Sequence, residues 1–180
     1  MPMPQGNEEF RLTVETVVDD RRWDEVGLDV VCRSACEVAL KTAGFDRGQC
    51  EIGILGCSDE KIAGLNRRFR NVHGPTNVLA WPAGPTVADD LGVSELGNIA
   101  VAFETCMMEA KAQGKRPASH LAHLIVHACL HLVGFDHESE DEAEVMEAME
   151  LASLARLGIV DPIRLDGGAE MTSTREPVRN

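Results

Sequence analysis

Apolar and polar residues alternate with a period of two in several short stretches of the chain. The segment FRLTVETVV shows this clearly, because apolar or β-branched side chains recur at every second position. Glycine, proline and aspartate are frequent in the loops between such stretches. Four β-strands are therefore predicted, over residues 10–18, 50–56, 76–81 and 96–102.

Helical spacing of apolar residues accounts for most of the remaining chain. Ile62, Leu65 and Phe69 fall on one face of a helix that Ser58 can N-cap. Helices are predicted over residues 23–44, 61–69, 103–113, about 118–133 and about 139–157. This order predicts an α/β (α+β) fold, in which helices pack over one small mixed sheet of about four strands.

Length and composition limit the domain organisation. The chain of 180 residues can form one domain with its own core, predicted over residues 1–160. Residues 161–180 are rich in glycine, threonine, proline and charge, and we predict a disordered tail there. No run of 18 apolar residues occurs, so we expect no membrane span. The N-terminal segment MPMPQGNEEF has no basic region followed by an apolar stretch, so we expect no signal peptide. Six cysteines without a CxxC pair favour reduced thiols and a cytoplasmic location.

Charge is distributed unevenly along the chain. The formal net charge of −13 argues against a nucleic-acid partner when taken alone. Residues 61–88, however, contain one lysine and three arginines and no acid, whereas residues 138–150 contain seven acids and no base. The basic segment can attract phosphate. The acidic helix is either a solvated face or a docking surface for a basic partner such as a ribosomal protein.

The segment HACLHLVGFDH carries the most specific chemistry. His127 and His131 are four residues apart, so their side chains lie one above the other on a helix. Gly134 allows the chain to turn, and His137 can then reach the same point. Three imidazoles with a fourth position left for water are typical of a catalytic zinc site. We therefore predict a metal site on a helix near the core, with His123 a candidate neighbour on the same stripe.

The histidine spacing equals that of the H-E-x-x-H-x-x-G-x-x-H zinc peptidases. Those enzymes use the glutamate as a general base. Ala128 occupies its position here, and a methyl group can neither accept nor donate a proton. A zinc-dependent hydrolase of peptides or small molecules is therefore an alternative that lacks its usual base.

Three blocks of sequence resemble the YbeY-type bacterial endoribonucleases. HLIVHACLHLVGFDH is similar to the pattern H-L-x-V-H-G-x-L-H-L-x-G-Y-D-H of that family. LNRRFRNVHGPTNVLAWP resembles L-N-x-x-[YF]-R-x-x-x-x-P-T-[DN]-V-L-S-F-P, and LGNIAV resembles L-G-D-I-x-I. The resemblance covers roughly residues 50–160, in the same order.

The resemblance implies a single-strand-specific, metal-dependent endoribonuclease that acts in 3′-end maturation of 16S rRNA and in ribosome quality control. It implies one Zn²⁺ per chain, bound by His127, His131 and His137, although another divalent transition metal could replace it. Arg70 matches the family arginine, and its planar fork suits phosphate binding. The expected partners are single-stranded RNA or 16S rRNA and the ribosome or its proteins, with no membrane and no DNA. A non-catalytic ribosome-assembly factor with a structural zinc is a further alternative.

Several positions depart from the family pattern. Ala128 and Phe135 replace glycine and tyrosine, and Asn98 replaces an aspartate. The Asn98 amide can form hydrogen bonds but cannot take up a proton. Asn77 and Asp136 are candidates for contacting RNA or orienting a ligand. The sequence identifies no general base, and it leaves open whether water or the substrate 2′-hydroxyl is the nucleophile.

Overall fold

The computed structural model describes residues 9–84 and 92–160. Its elements, in chain order, are β1 (Arg11–Val18), α1 (Trp23–Val26), α2 (Leu28–Thr42), β2 (Gln49–Cys57), α3 (Asp59–Arg70), β3 (Val78–Pro82), β4 (Val93–Ala102), α4 (Phe103–Ala112), α5 (Pro117–Leu132) and α6 (Glu140–Arg156).

The strands form one mixed sheet in the order β1-β2-β4-β3. β1, β2 and β4 are parallel, and β3 pairs antiparallel with β4 at the edge. The predicted α/β fold with a small sheet of four strands is therefore confirmed. β4 begins three residues earlier than predicted, because Val93, Ser94 and Glu95 extend the pairing with the start of β2.

The predicted helix over 23–44 is divided into two helices. Gly27 has a φ of 76°, a left-handed conformation that ends α1 and precedes the first residue of α2. Glycine adopts this conformation at little cost, so one residue is enough to break the helix. The buried Trp23 fixes α1 to the sheet, since its Nε1 donates a hydrogen bond to the Cys57 carbonyl at 3.0 Å.

The two faces of the sheet are covered unequally. One face packs against α2 and α5 in the larger core, where Ile54 and Ile99 meet Leu121 and Ile125. The other face carries a smaller cluster around Ile62 of α3. α5 therefore lies in the core, as predicted for the metal-binding helix, and part of the opposite sheet face over β1 and β2 has no helix on it among the described elements.

In the described ranges, none of the helices combines the length and the apolar character that a bilayer span requires. The predicted domain limit at residue 160 and the predicted disordered tail over 161–180 concern a region outside the described residues, and they stay predictions.

Candidate active site

The three histidines of the HACLHLVGFDH segment converge on one point. His127 and His131 project from successive turns of α5, and their Nε2 atoms are 3.1 Å apart. Gly134, with a φ of 95°, reverses the chain after the helix, and the Phe135 amide donates to the Leu130 carbonyl at 3.0 Å. This turn brings back His137, so that one ring nitrogen from each histidine lies within 4.8 Å of the others. The cluster has the geometry needed to hold a metal ion.

Glu150 of α6 orients the first of these histidines. Its Oε1 lies 2.5 Å from His127 Nδ1, and its Oε2 lies 3.3 Å from His123 Nε2. A carboxylate on Nδ1 places the proton there and leaves the lone pair of Nε2 pointing at the other histidines. Burial raises the pKa of Glu150, but the hydrogen bonds with His123 and His127 outweigh it and hold the pKa at about 2. Glu150 is therefore a carboxylate at neutral pH.

His131 is held in the neutral form that a metal ion requires. Burial lowers the pKa of its imidazole, and the neighbouring rings of His127 and His137 lower it further. Their ring centroids lie 4.6 and 5.1 Å from that of His131. A neutral imidazole offers a lone pair, which a protonated one does not.

A cavity of about 490 Å³, here called the metal cavity, opens over the histidines. Arg70, the last residue of α3, lines it together with His127, His131 and His137, and the edge strand β3 contributes Val78, Ala80 and Pro82. Ala128 also lines the cavity, with 1% of its surface exposed. The sequence-predicted arginine and the three histidines are thus brought into one cavity.

Asp136 also lines this cavity, but its side chain is engaged in the turn. Its Oδ1 accepts a hydrogen bond from the backbone amide of His137 at 2.8 Å. This contact fixes the backbone that carries the third histidine. Asp136 therefore supports His137 without a contact to an imidazole nitrogen among the described hydrogen bonds.

Asn77 lies in an internal network rather than in the metal cavity. Its Nδ2 donates to both carboxylate oxygens of Glu109, at 3.1 and 3.0 Å, and its Oδ1 accepts from the Val78 amide at 2.7 Å. Glu109 in turn lies 2.8 Å from His120 Nε2. This network connects the start of β3 with α4 and α5. In the structure, Asn77 therefore holds these elements together.

Asn98 lies on the opposite face of the sheet from the histidines. Ile99 and Val101 point into the core that contains α5, so their neighbours Asn98 and Ala100 point the other way. Asn98 lines a second cavity with Phe69 and is absent from the lining of the metal cavity. It is too remote in the fold to orient a histidine directly.

Glu150 is the site residue that sequence reasoning missed. It is one of the seven acids of the segment 138–150, for which the sequence indicates a solvated face or a docking surface. Met146 and Leu154, four residues on either side of it, are both buried. A charged residue in the middle of a buried helical stripe was the available signal, because such a charge needs a partner.

Fold and site together define a class of protein: a small α/β domain with an open three-histidine cluster, the ligand set of metal-dependent hydrolases. The family model described as Endoribonuclease YbeY matches residues 14–158, and this chain belongs to that family. The resemblance found in the sequence motifs is thereby confirmed. The chain is a nuclease, a hydrolase acting on RNA, and the peptide or small-molecule hydrolase is not favoured.

Several relatives described as Endoribonuclease YbeY match this chain over nearly their whole length. The protein from Paracoccus denitrificans is 42% identical over 162 residues, which cover 86% of this chain and 92% of that protein. The one from Ruegeria pomeroyi is 41% identical over 167 residues, covering 86% of this chain and all of that protein. The one from Jannaschia sp. is 40% identical, covering 84% and 99%.

A solved structure has the same fold. The solution structure of TM1509 from Thermotoga maritima matches with a TM-score of 0.51 and 19% sequence identity, covering 91% of this chain and 100% of that one. At this level of identity, the match supports the arrangement of strands and helices.

Proposed function

We propose that this protein is a single-strand-specific, metal-dependent endoribonuclease that acts in 3′-end maturation of 16S rRNA and in ribosome quality control. The observation that carries the proposal is the presence of three convergent histidines and Arg70 in one cavity of a chain from the Endoribonuclease YbeY family. A metal ion beside a permanent cation can stabilise the negative charge that develops when a phosphodiester is cleaved.

The metal ligands in this proposal are His127, His131 and His137, with one Zn²⁺ per chain at about 2.0–2.1 Å from each nitrogen. The donor set fits the ion, because Glu150 leaves Nε2 of His127 unprotonated and burial keeps His131 neutral. Imidazoles also accept other divalent transition metals. Bound zinc would supply a Lewis acid for a phosphoryl oxygen and lower the pKa of water in the open position.

Arg70 binds the scissile phosphate or the one next to it. Its guanidinium is permanently charged and presents parallel N–H donors to two phosphate oxygens. The side chain lines the same cavity as the histidines, so a phosphate bound at the metal ion would also be within the cavity that holds the guanidinium. Its position at the end of α3 also places it in the basic segment of an otherwise acidic chain.

We place the protein in the cytoplasm, in contact with the ribosome. All six cysteines are free and buried, as expected for a reducing compartment. The exposed acids of α6 offer a surface for a basic ribosomal protein, and they would repel RNA toward the side of Arg70. A purely structural zinc fits less well, because structural sites normally have four protein ligands.

The test is incubation of zinc-loaded protein with single-stranded RNA, duplex RNA and casein. We expect cleavage of the single-stranded RNA, little cleavage of the duplex and none of casein. His127→Ala and treatment with a chelator should both abolish cleavage, whereas Met108→Ala, a truncation of an exposed side chain on α4, should not. Digestion of casein with intact RNA would refute the proposal, and so would RNA cleavage that survives in His127→Ala.

A further inference from the structure

A second cavity, of about 530 Å³, lies on the sheet face opposite the metal cavity. We call it the outer pocket and define it by Glu15, Gly53, Phe69, Trp81 and Asn98. Its walls are mostly apolar, and it occupies the part of the sheet over β1, β2 and β4 beside α3. No step of the proposed phosphate chemistry uses it.

The floor of the outer pocket carries two polar side chains in one row. Glu15 of β1 pairs with Gly53 of β2, and Gly53 pairs with Asn98 of β4. Asn98 lies close over Gly53, since a Cβ at this glycine would be 2.2 Å from Asn98 Oδ1. Within residues 9–84 and 92–160, neither the Glu15 carboxylate nor the Asn98 amide has a hydrogen-bond partner. Both are available to a ligand in the pocket.

The wall of the outer pocket is aromatic and has a cation beside it. Phe69 and Trp81 pack edge to face, with ring centroids 5.5 Å apart and planes at 72°. Phe69 is 55% exposed, and the Arg68 guanidinium carbon lies 5.3 Å from its ring centroid. Exposed rings beside arginine are the surface on which single-stranded RNA bases stack.

The outer pocket and the metal cavity are adjacent across the edge of the sheet. Phe69 lines the outer pocket, and the next residue, Arg70, lines the metal cavity. In β3, Trp81 likewise lines the outer pocket and its neighbour Ala80 lines the metal cavity. β3 is the edge strand, with β4 as its one neighbour in the described sheet. An RNA strand that crosses this edge can therefore place one phosphate at Arg70 and a nearby base in the outer pocket.

We propose that the outer pocket binds one unpaired nucleobase of the RNA whose phosphate lies at Arg70, an inference that rests on the proposed function. A base inside a duplex is stacked and paired, so only an unpaired base can enter, which makes the pocket a source of single-strand specificity. The Glu15 carboxylate can only accept hydrogen bonds, and it therefore favours bases with an exocyclic amino group over uracil, whose one base donor is N3–H. Adenine, cytosine and guanine have that group and uracil does not. A peptide segment would use the apolar walls but would not need the cation or the adjacent phosphate site.

The test is a set of affinities of zinc-loaded protein for 2′-O-methyl tetranucleotides of A, C, G and U, with Trp81 fluorescence as a reporter of stacking. Phe69→Ala should weaken binding roughly 5- to 150-fold, the range for loss of one base stack. Glu15→Gln should bring the affinity for the U tetranucleotide closer to that for the C tetranucleotide, because an amide both donates and accepts. Asn98→Ala should weaken binding of the A, C and G tetranucleotides, and the control Met108→Ala, exposed to 65%, should bind like wild type.

Cleavage kinetics separate this inference from the proposed function. Phe69→Ala should raise KM for single-stranded RNA while kcat stays near the wild-type value, because the contact is made equally in the ground and transition states. If wild type cleaves RNA and all three pocket variants keep its KM and tetranucleotide affinities, the base pocket is refuted and the endoribonuclease stands. If wild type binds tetranucleotides through the pocket but cleaves no RNA, the pocket stands and the endoribonuclease fails. Loss of binding to isolated ribosomal proteins with unchanged tetranucleotide affinity would assign the pocket to a protein partner and refute the inference.

Discussion

Removing the Glu150 carboxylate should weaken metal binding without touching a metal ligand. Its side chain is 13% exposed and holds His127 Nδ1 at 2.5 Å, the shorter of its two contacts with histidines. Without this acceptor, the ring of His127 can rotate or shift its proton to Nε2, the atom that faces the cluster. Loss of such a supporting partner typically lowers metal affinity about 10- to 100-fold.

Two substitutions of Glu150 separate the contribution of its charge from that of its hydrogen bonds. Glu150→Gln keeps the shape and one acceptor oxygen but loses the charge, so we expect a loss near the lower limit, about tenfold. Glu150→Ala removes both hydrogen bonds and should approach a hundredfold, or roughly 2.8 kcal/mol. His123→Ala leaves the contact between Glu150 and His127 in place and should cost less than either substitution of Glu150.

The assay is competition for zinc with a chromogenic chelator, at one pH and on refolded, metal-stripped protein. Glu144→Gln is the matched control, because Glu144 is an exposed acid on the same helix. Circular dichroism before the titration would show that each variant is folded. Wild-type zinc affinity in Glu150→Ala would refute the argument that this carboxylate prepares His127 for the metal.

Three further predictions concern Arg70 and Ala128 in the metal cavity and Asn77 in the internal network. Arg70→Ala should keep zinc and the fold but lower RNA cleavage roughly 10- to 100-fold, with partial rescue in Arg70→Lys; unchanged cleavage rates on a labelled RNA would refute the phosphate contact. Ala128→Glu should not make RNA cleavage faster, and a faster rate would show that a base is missing in the wild type. Because the Ala128 methyl group is buried, the same substitution should lower the free energy of unfolding by about 1–3 kcal/mol. Asn77→Ala should lower the free energy of unfolding, measured with urea, by about 1–3 kcal/mol, because the Glu109 carboxylate loses a hydrogen-bond donor, and the folded variant should still cleave RNA. Full stability with loss of cleavage would instead indicate that Asn77 contacts the substrate.

The parts of the structure that the sequence predicted depend on local patterns. The four strands follow from alternation within single segments, and the convergence of His127 with His131 follows from helical spacing. The turn at Gly134 is also local, since one left-handed residue is sufficient to redirect the chain. For the same reason, the break at Gly27 could have been predicted from its glycine.

The remaining features depend on which segments become neighbours in space. β4 is apolar at Ile99 and Val101 on one face and at Ala100 and Ala102 on the other, so its alternation does not reveal which face α5 covers. The position of Asn98 relative to the histidines was therefore unpredictable from β4 alone. Glu150 meets His127 only because α6 packs on α5, a contact between residues 23 positions apart with no local pattern.

Charge is distributed so that a polyanion such as RNA can approach one part of this acidic chain favourably. The arginines at the end of α3 lie at the edge strand β3, where the metal cavity is on one side and the outer pocket on the other. Asp136 and Glu138 also line the metal cavity, shortly before the acidic helix α6 begins. A phosphate backbone is therefore attracted along α3 and β3 and repelled from α6. The net charge of −13 describes the whole surface, whereas the local field at Arg70 decides whether RNA can bind.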